Sequence, residues 1–180
     1  MITTERLILR QWEEEDFHPF SEMCRDKDVM AHFPKLLTKE ESDPMVRRLQ
    51  SLIAERGWGL WAVEIPRQRK FVGCVGLHIP KDSLPFSPCV EIGWRLAKAY
   101  WGMGYATEAA KASLRYAFTH LDLDEVVSFT TVGNIRSRAV MKKIGMLYVE
   151  HFAHPDLAAA DPLCAHVLFK ISRAQWAGQL

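Results

Sequence analysis

The sequence has no imbalance of charge: 23 Lys and Arg face 22 Asp and Glu, for a formal net charge of +1 over 180 residues. No global field therefore draws the chain to nucleic acid or to an anionic membrane. Paired cysteines are missing too, since those at positions 24, 74, 89 and 164 form no C-x-x-C and no regular spacing. That excludes a zinc site built on paired thiolates and argues against a disulfide framework, leaving free thiols in a reducing compartment. No apolar run is long enough to span a bilayer. Met1-Ile2-Thr3-Thr4-Glu5-Arg6 carries no apolar leader pattern, so the cytoplasm is the expected location. His151 and His154 stand in a His-Phe-Ala-His spacing without a third ligand, so no metal site is expected. Linkers, repeats and low-complexity tracts are absent as well.

What is present is the composition of a globular protein, 48% hydrophobic and 25% charged, in a chain long enough for one domain over residues 1–180. Arg6–Gln11 reads as a strand, and Asp16 offers a cap to a helix carrying Phe17, Phe20, Met23 and Val29. Lys39–Arg56 is a second helix with Val46, Leu49, Leu52 and Ile53 on one face, closed by Gly57 and Gly59. Trp58–Ile65 and Phe71–His78 form a hairpin around Pro66-Arg67-Gln68-Arg69-Lys70. After a Pro- and Ser-rich loop from Lys81 to Pro88, Cys89–Leu96 alternates as a strand. A helix from Gly104 to about His120 follows, then an apolar strand Val126–Val132. Asn134 opens a short helix that Gly145 stops, and strands Met146–Phe152 and Cys164–Ile171 flank the loop His154–Pro162. The order predicts one α/β domain whose early and late strands pair as hairpins.

The most informative stretch is Tyr100-Trp101-Gly102-Met103-Gly104-Tyr105-Ala106-Thr107-Glu108-Ala109-Ala110. Two glycines stand between a strand and a helix, where free backbone N–H groups and the positive end of the helix dipole meet an anion. The P-loop lysine and a third glycine are both missing, so the anion is neither a nucleoside triphosphate nor a dinucleotide of the usual kind.

The chain resembles the GNAT N-acetyltransferase superfamily, in its RimJ/RimL-like branch. The likeness runs from Thr4-Glu5-Arg6-Leu7-Ile8-Leu9-Arg10 through Glu91-Ile92-Gly93-Trp94-Arg95-Leu96 and the glycine loop. It continues through Asn134-Ile135-Arg136-Ser137-Arg138-Ala139-Val140-Met141-Lys142-Lys143-Ile144-Gly145-Met146 to His166-Val167-Leu168-Phe169-Lys170. It implies an α/β (α+β) GNAT fold, with a mixed, mostly antiparallel sheet of about seven strands splayed in the middle and about four flanking helices. It further implies an acetyl-coenzyme A-dependent N-acetyltransferase acting on a primary amine by direct attack in a ternary complex.

By that resemblance, backbone N–H groups of Trp101, Gly102, Met103, Gly104, Tyr105, Ala106 and Thr107 bind the pyrophosphate of acetyl-coenzyme A, which a nest of amides can do without a metal. Trp101 stands where the family usually has Gln or Arg. Pantetheine enters between the strands ending at Leu96 and Val132. Backbone groups of Trp94 and Leu96 hold its amides, and the Leu96 N–H polarises the thioester carbonyl. Removing a proton from the amine requires a base, for which Glu91 is the candidate. The alternative is that Glu91 is only a solvated or ion-paired strand residue. His78 ends a strand facing the expected acceptor cleft, where it helps bind substrate or serves as an alternative base, although a plain surface histidine is the commoner reading. Ser137 is the candidate donor to the departing sulfur, or it merely bonds the helix backbone. Many relatives have a tyrosine where this chain has Met141, which cannot donate a proton. Asn134 serves as a helix cap that also meets pantetheine, and Lys142 faces the 3′-phosphate from a basic cluster with Arg136, Arg138 and Lys143.

The expected acceptor is a peptide N-terminus or a small-molecule amine, chosen by Phe17–Arg56, Lys81–Pro88 and His154–Pro162. The basic pair Arg47-Arg48 is compatible with an acidic peptide. Neither nucleic acid nor membrane is expected as a partner, and a homodimer is compatible with the sequence. The competing reading is a non-catalytic coenzyme A-binding sensor with the same fold. A covalent acetyl-enzyme on Cys89 is disfavoured.

Overall fold

Thr38 and Glu41 set the start of the longest helix, each side chain closing on the other's backbone N–H in a capping box. In the computed structural model, which describes residues 1–68 and 70–179, this helix spans Lys39–Arg56 and ends at Gly57 with φ 79°. That left-handed closure is what a glycine just past a helix supplies. It is the second helix, α2. The first, α1, spans Phe17–Arg25 behind one 3-10 turn at Glu14–Asp16. It stops short of Val29 because the Asp26 carboxylate accepts the Asp28 N–H at 2.8 Å, a side-chain turn that competes with helical bonding.

Two compact units make up the chain, the first formed by residues 1–77 and 93–113 and the second by residues 78–92 and 114 onward. In the first, β1 (Ile2–Thr3), β2 (Ile8–Arg10), β3 (Leu60–Ile65) and β4 (Lys70–His78) run antiparallel in that order. The expected first strand is thus only three residues long, and β1 carried too little pattern to be read. A 3-10 turn at Pro66–Gln68 joins β3 to β4; Arg69, part of the predicted turn, lies outside the described residues. The end of β5 (Glu91–Leu96) lies against β4, where a Cβ on Gly73 would stand 2.2 Å from the Arg95 carbonyl oxygen. Only glycine permits that approach at φ 145°. Leu7, Leu9, Phe20, Val46, Val63, Val72 and Val75 are fully buried here.

In the second unit, the start of β5 meets β6 (Glu125–Thr131) in parallel through the register pair Glu91↔Val127. The Ser128 hydroxyl adds a bond to the Ile92 carbonyl at 2.9 Å. β6 then pairs antiparallel with β8 (Ala165–Ser172), and β8 with β7 (Leu147–Ala153). Helix α3 spans Tyr105–Thr119, α4 Ile135–Lys143, and α5 Arg173–Ala177. The fold is the mixed α/β arrangement expected, with eight mostly antiparallel strands and five α-helices among the described residues. Val126, Val127, Val167 and Ile171 are fully buried in this unit. Among the described residues no helix is long and apolar enough to cross a membrane, and no three His, Cys, Asp or Glu side chains cluster to hold a metal.

Candidate active site

The glycine loop belongs to the first unit. Gly102 and Gly104 both take left-handed φ, 77° and 82°, so the chain alternates hand over three residues and α3 begins at Tyr105. Such alternation gathers successive N–H groups into a concave nest, and the first turn of α3 adds its unbonded donors. The Glu108 N–H donates to the Gly104 carbonyl at 3.0 Å, while the Trp101 N–H is already taken by the Lys98 carbonyl at 3.1 Å. Residues 102–107 thus present the kind of backbone nest that can meet an anion, whereas the Trp101 N–H, counted among the donors from the sequence, is spent on the Lys98 carbonyl.

An acid in the first turn of a phosphate-facing helix would repel its ligand unless neutralised, and Glu108 is neutralised. Its carboxylate accepts from the Thr4 hydroxyl at 2.6 Å, the Arg6 backbone N–H at 2.9 Å and the Arg6 Nε at 2.6 Å. Burial alone would raise this carboxyl, but those hydrogen bonds and the Arg6 charge more than offset it and hold it below the usual carboxylate value. Arg6 also donates to the Met103 carbonyl at 2.9 Å and lies 4.7 Å over the Tyr105 ring. Arg6 and Glu108 thus shape the loop from outside it. Sequence reading placed both in the motif but gave neither a role. Arg6→Met is expected to raise KM for acetyl-coenzyme A about tenfold with kcat nearly unchanged, the loss of about 1.4 kcal/mol of uniform binding; steady-state kinetics at saturating acceptor checks it.

Trp94 is half-buried and Leu96 buried on β5. The Leu96 carbonyl accepts the Trp101 indole N–H at 2.8 Å, so this carbonyl is already engaged. The side chain that departs from the family's Gln or Arg is thereby tied back to the strand.

The remaining expected residues belong to the second unit. Asn134 caps α4, its Oδ1 accepting the Ser137 N–H at 3.2 Å while its Nδ2 donates to the Thr130 hydroxyl at 2.9 Å. Its side chain is thus occupied as the cap reading expected. Ser137 is half-buried, Lys142 is exposed, and Met141 is buried in the core. Arg138, expected on one face with Lys142, donates to the Val132 carbonyl at 2.9 Å.

Glu91 is only 8% exposed, and its Oε2 lies 3.1 Å from His78 Nε2. The two border a pocket of about 280 Å³, together with Lys81, Ser83, Leu84, Phe129, His154 and Asp156. Lys81 Nζ reaches Asp156 Oδ2 at 2.7 Å, and Phe129 packs edge-on against Phe86 and Phe152. The loops expected to choose the acceptor, following Lys81 and His154, both contribute to this wall. The helical segment expected to share that task borders a separate groove of about 990 Å³ in the first unit, with Glu13, Asp16, Glu22 and Asp26 on its walls. Arg47 instead lies 5.6 Å over the Phe17 ring. Cys89 is half-buried, and burial together with the Glu91 charge pushes its thiol above the ordinary cysteine value, the opposite of an activated nucleophile.

Residues 6–147 match the acetyltransferase (GNAT) domain family. The chain is 34% identical over 150 residues to the uncharacterized Bacillus subtilis protein YkkB, across 82% of this chain and 85% of that one. It is 33% identical to the uncharacterized N-acetyltransferase YnaD of the same organism, across 81% of each. Among solved structures, a GNAT-family acetyltransferase from Bacillus anthracis superposes with a TM-score of 0.80 at 26% identity, covering 96% of this chain and 98% of that one.

Proposed function

Because the chain belongs to the GNAT acetyltransferase family, an acetyl-coenzyme A-dependent family of N-acetyltransferases, we propose that it acetylates a primary amine admitted to the pocket beside Glu91 and His78. The observation that carries this reading is the pairing of a buried carboxylate with an imidazole at the wall of a small pocket. Amide formation from a thioester needs a neutral amine, a stabilised oxyanion and a proton for the leaving sulfur. The His78–Glu91 pair answers the first requirement. The Leu96 N–H is assigned to the oxyanion and Ser137 to the departing thiolate.

Residues 102–107 would hold the pyrophosphate of acetyl-coenzyme A, and Lys142 the 3′-phosphate. The acetyl group passes directly to the amine, a route supported by the poorly activated thiol of Cys89. At about 280 Å³, the pocket lies just below the usual range for drug-sized ligands, roughly 300–1,000 Å³. It suits the amine-bearing end of an acceptor, whether a peptide N-terminus or a small molecule.

The test is release of free thiol from acetyl-coenzyme A over a panel of peptides, polyamines and amino acids. Acceptor-dependent release is expected, reduced about tenfold in Ser137→Ala if the hydroxyl serves the sulfur. Tight acetyl-coenzyme A binding with no release on any amine would instead make the protein a coenzyme A sensor.

A further inference from the structure

Among the described residues, Arg95 is a half-buried charge without a counter-ion. It stands on β5 in the first unit. Its Nη1 donates to Cys24 Sγ at 3.2 Å, a weak acceptor. Its Cζ lies 4.1 Å from the centre of the Phe33 ring and 5.8 Å from that of Phe20. Rings stabilise a cation through their quadrupoles but do not neutralise it. The neighbouring sulfurs do not either: against the pull of the Arg95 charge, burial pushes the Cys24 thiol above its ordinary value and the Cys74 thiol up to about 11. Two nitrogens remain. Nε is buried without a partner and is closed to any ligand. Nη2 is also unbonded among the described residues but is not enclosed. We propose that Arg95 is an anion-recognition residue that receives, at Nη2, a carboxylate carried by the acceptor.

The inference rests on the acetyl transfer argued above and names the class of its acceptor. Leu96 follows Arg95 on the strand, and its N–H is the donor assigned to the oxyanion. Arg95 is therefore one peptide unit from that donor, and an acceptor bound there brings its own charged groups within a side chain's length. The phosphates of acetyl-coenzyme A have other partners in residues 102–107 and Lys142. Since the guanidinium lies over Phe33, one of its sides is covered and its edge is left for a ligand. An edge of fixed N–H donors is what a planar carboxylate matches. The acidic acceptor that Arg47-Arg48 suggested in the sequence is thus met by a different arginine.

Stability separates this role from a structural one. A guanidinium removed from water without a counter-charge is desolvated with little compensation, so an apolar side chain of similar length in its place is neutral or stabilising. A guanidinium retained for its contacts with Phe33 and Cys24 makes the opposite demand, and its loss lowers stability. Residues kept for a ligand commonly show this trade between stability and function.

The experiment uses matched probes that differ in one carboxylate: glycine and glycinamide, and amidated dipeptides headed by Asp or Asn and by Glu or Gln. Sodium phosphate serves as the free anion. In the wild-type protein without acetyl-coenzyme A, the 15N NMR signal of Arg95 Nε, identified by its loss in Arg95→Met, should shift saturably with the acid member of a pair and not with its amide or with phosphate. In turnover, the acid member should be preferred about tenfold in kcat/KM. Arg95→Met should abolish that preference through KM, with kcat and the amide member nearly unchanged and with Tm equal to or above that of wild type. No shift with any carboxylate, an equal response to phosphate, or a Tm lowered by more than about 5 °C overturns the assignment. The NMR and melting readouts need no acetyl transfer. A carboxylate that binds without turnover on any amine leaves the anion site standing and removes the transferase reading instead.

Discussion

Glu91→Gln is expected to lower kcat about 1,000-fold, within the range spanned by general acid–base groups, while leaving the dissociation constant for acetyl-coenzyme A within twofold of wild type. The substitution keeps shape and volume, and the amide oxygen can still accept from His78 Nε2. What it removes is the negative charge of the carboxylate that, paired with His78 at 3.1 Å, is proposed to take the acceptor's proton. In a buried position, with Glu91 8% exposed, that charge acts through a poorly screening medium and is worth far more than at the surface. The glycine loop proposed to hold the cofactor lies in other residues, so binding should be spared. The measurement is steady-state thiol release beside a calorimetric titration with acetyl-coenzyme A. A kcat within threefold of wild type would remove Glu91 from the chemistry.

The second large effect concerns stability. Arg10→Met is expected to destabilise the protein by about 3–5 kcal/mol, or on the order of 10 °C in Tm for a chain of this size. Arg10 holds Asp16 by two bonds, Nη1 to Oδ2 at 2.7 Å and Nη2 to Oδ1 at 3.0 Å, and Glu64 by Nε to Oε2 at 2.6 Å. Asp16 is 1% exposed and also accepts the Glu13 N–H at 2.8 Å. The hydrogen bond that Arg10 donates to Asp16 is the foremost cause that raises the guanidinium still further above its ordinary value, against the pull of burial. Methionine fills the space but strands two carboxylates, one of them fully enclosed. Breaking one side of a buried pair is the costly change. Removing both sides is far milder, so Arg10→Met with Asp16→Leu should recover part of the loss. Urea unfolding of the three proteins decides it: a single-variant loss below about 1 kcal/mol would mean the network is no stronger than an exposed salt bridge.

Much of this molecule was legible in its sequence. Thr38, Glu41 and Gly57 mark the bounds of α2 because capping and left-handed closure are local chemistry, written within a few residues. Asn134 at the head of α4 and the Gly102–Gly104 turn are legible for the same reason. What escaped the sequence is either too faint locally to outweigh a stronger pattern or non-local. The Asp26 side-chain turn ended α1 early although the apolar spacing ran on to Val29. Helix α5 is only five residues long, too short to show a period. Arg6 and Glu108 are 102 positions apart, and nothing in their own neighbourhoods announces that one neutralises the other. Glu91 read as a strand residue facing away from the apolar set, and His78 as the end of a different strand. Alternation says which face a side chain takes, never which side chain waits opposite across a loop.

The tether between the Trp101 indole and the Leu96 carbonyl makes the chain its own optical gauge. Indole emission shifts in colour and intensity when its N–H loses a hydrogen bond or its surroundings change polarity. The signal originates at the head of the glycine loop proposed to hold the cofactor, so it registers loop rearrangement without a dye or a coupled assay. Subtracting the spectrum of a Trp101→Phe protein isolates that indole from the five other tryptophans. Cofactor affinity then becomes a light measurement, made before any acceptor has been identified.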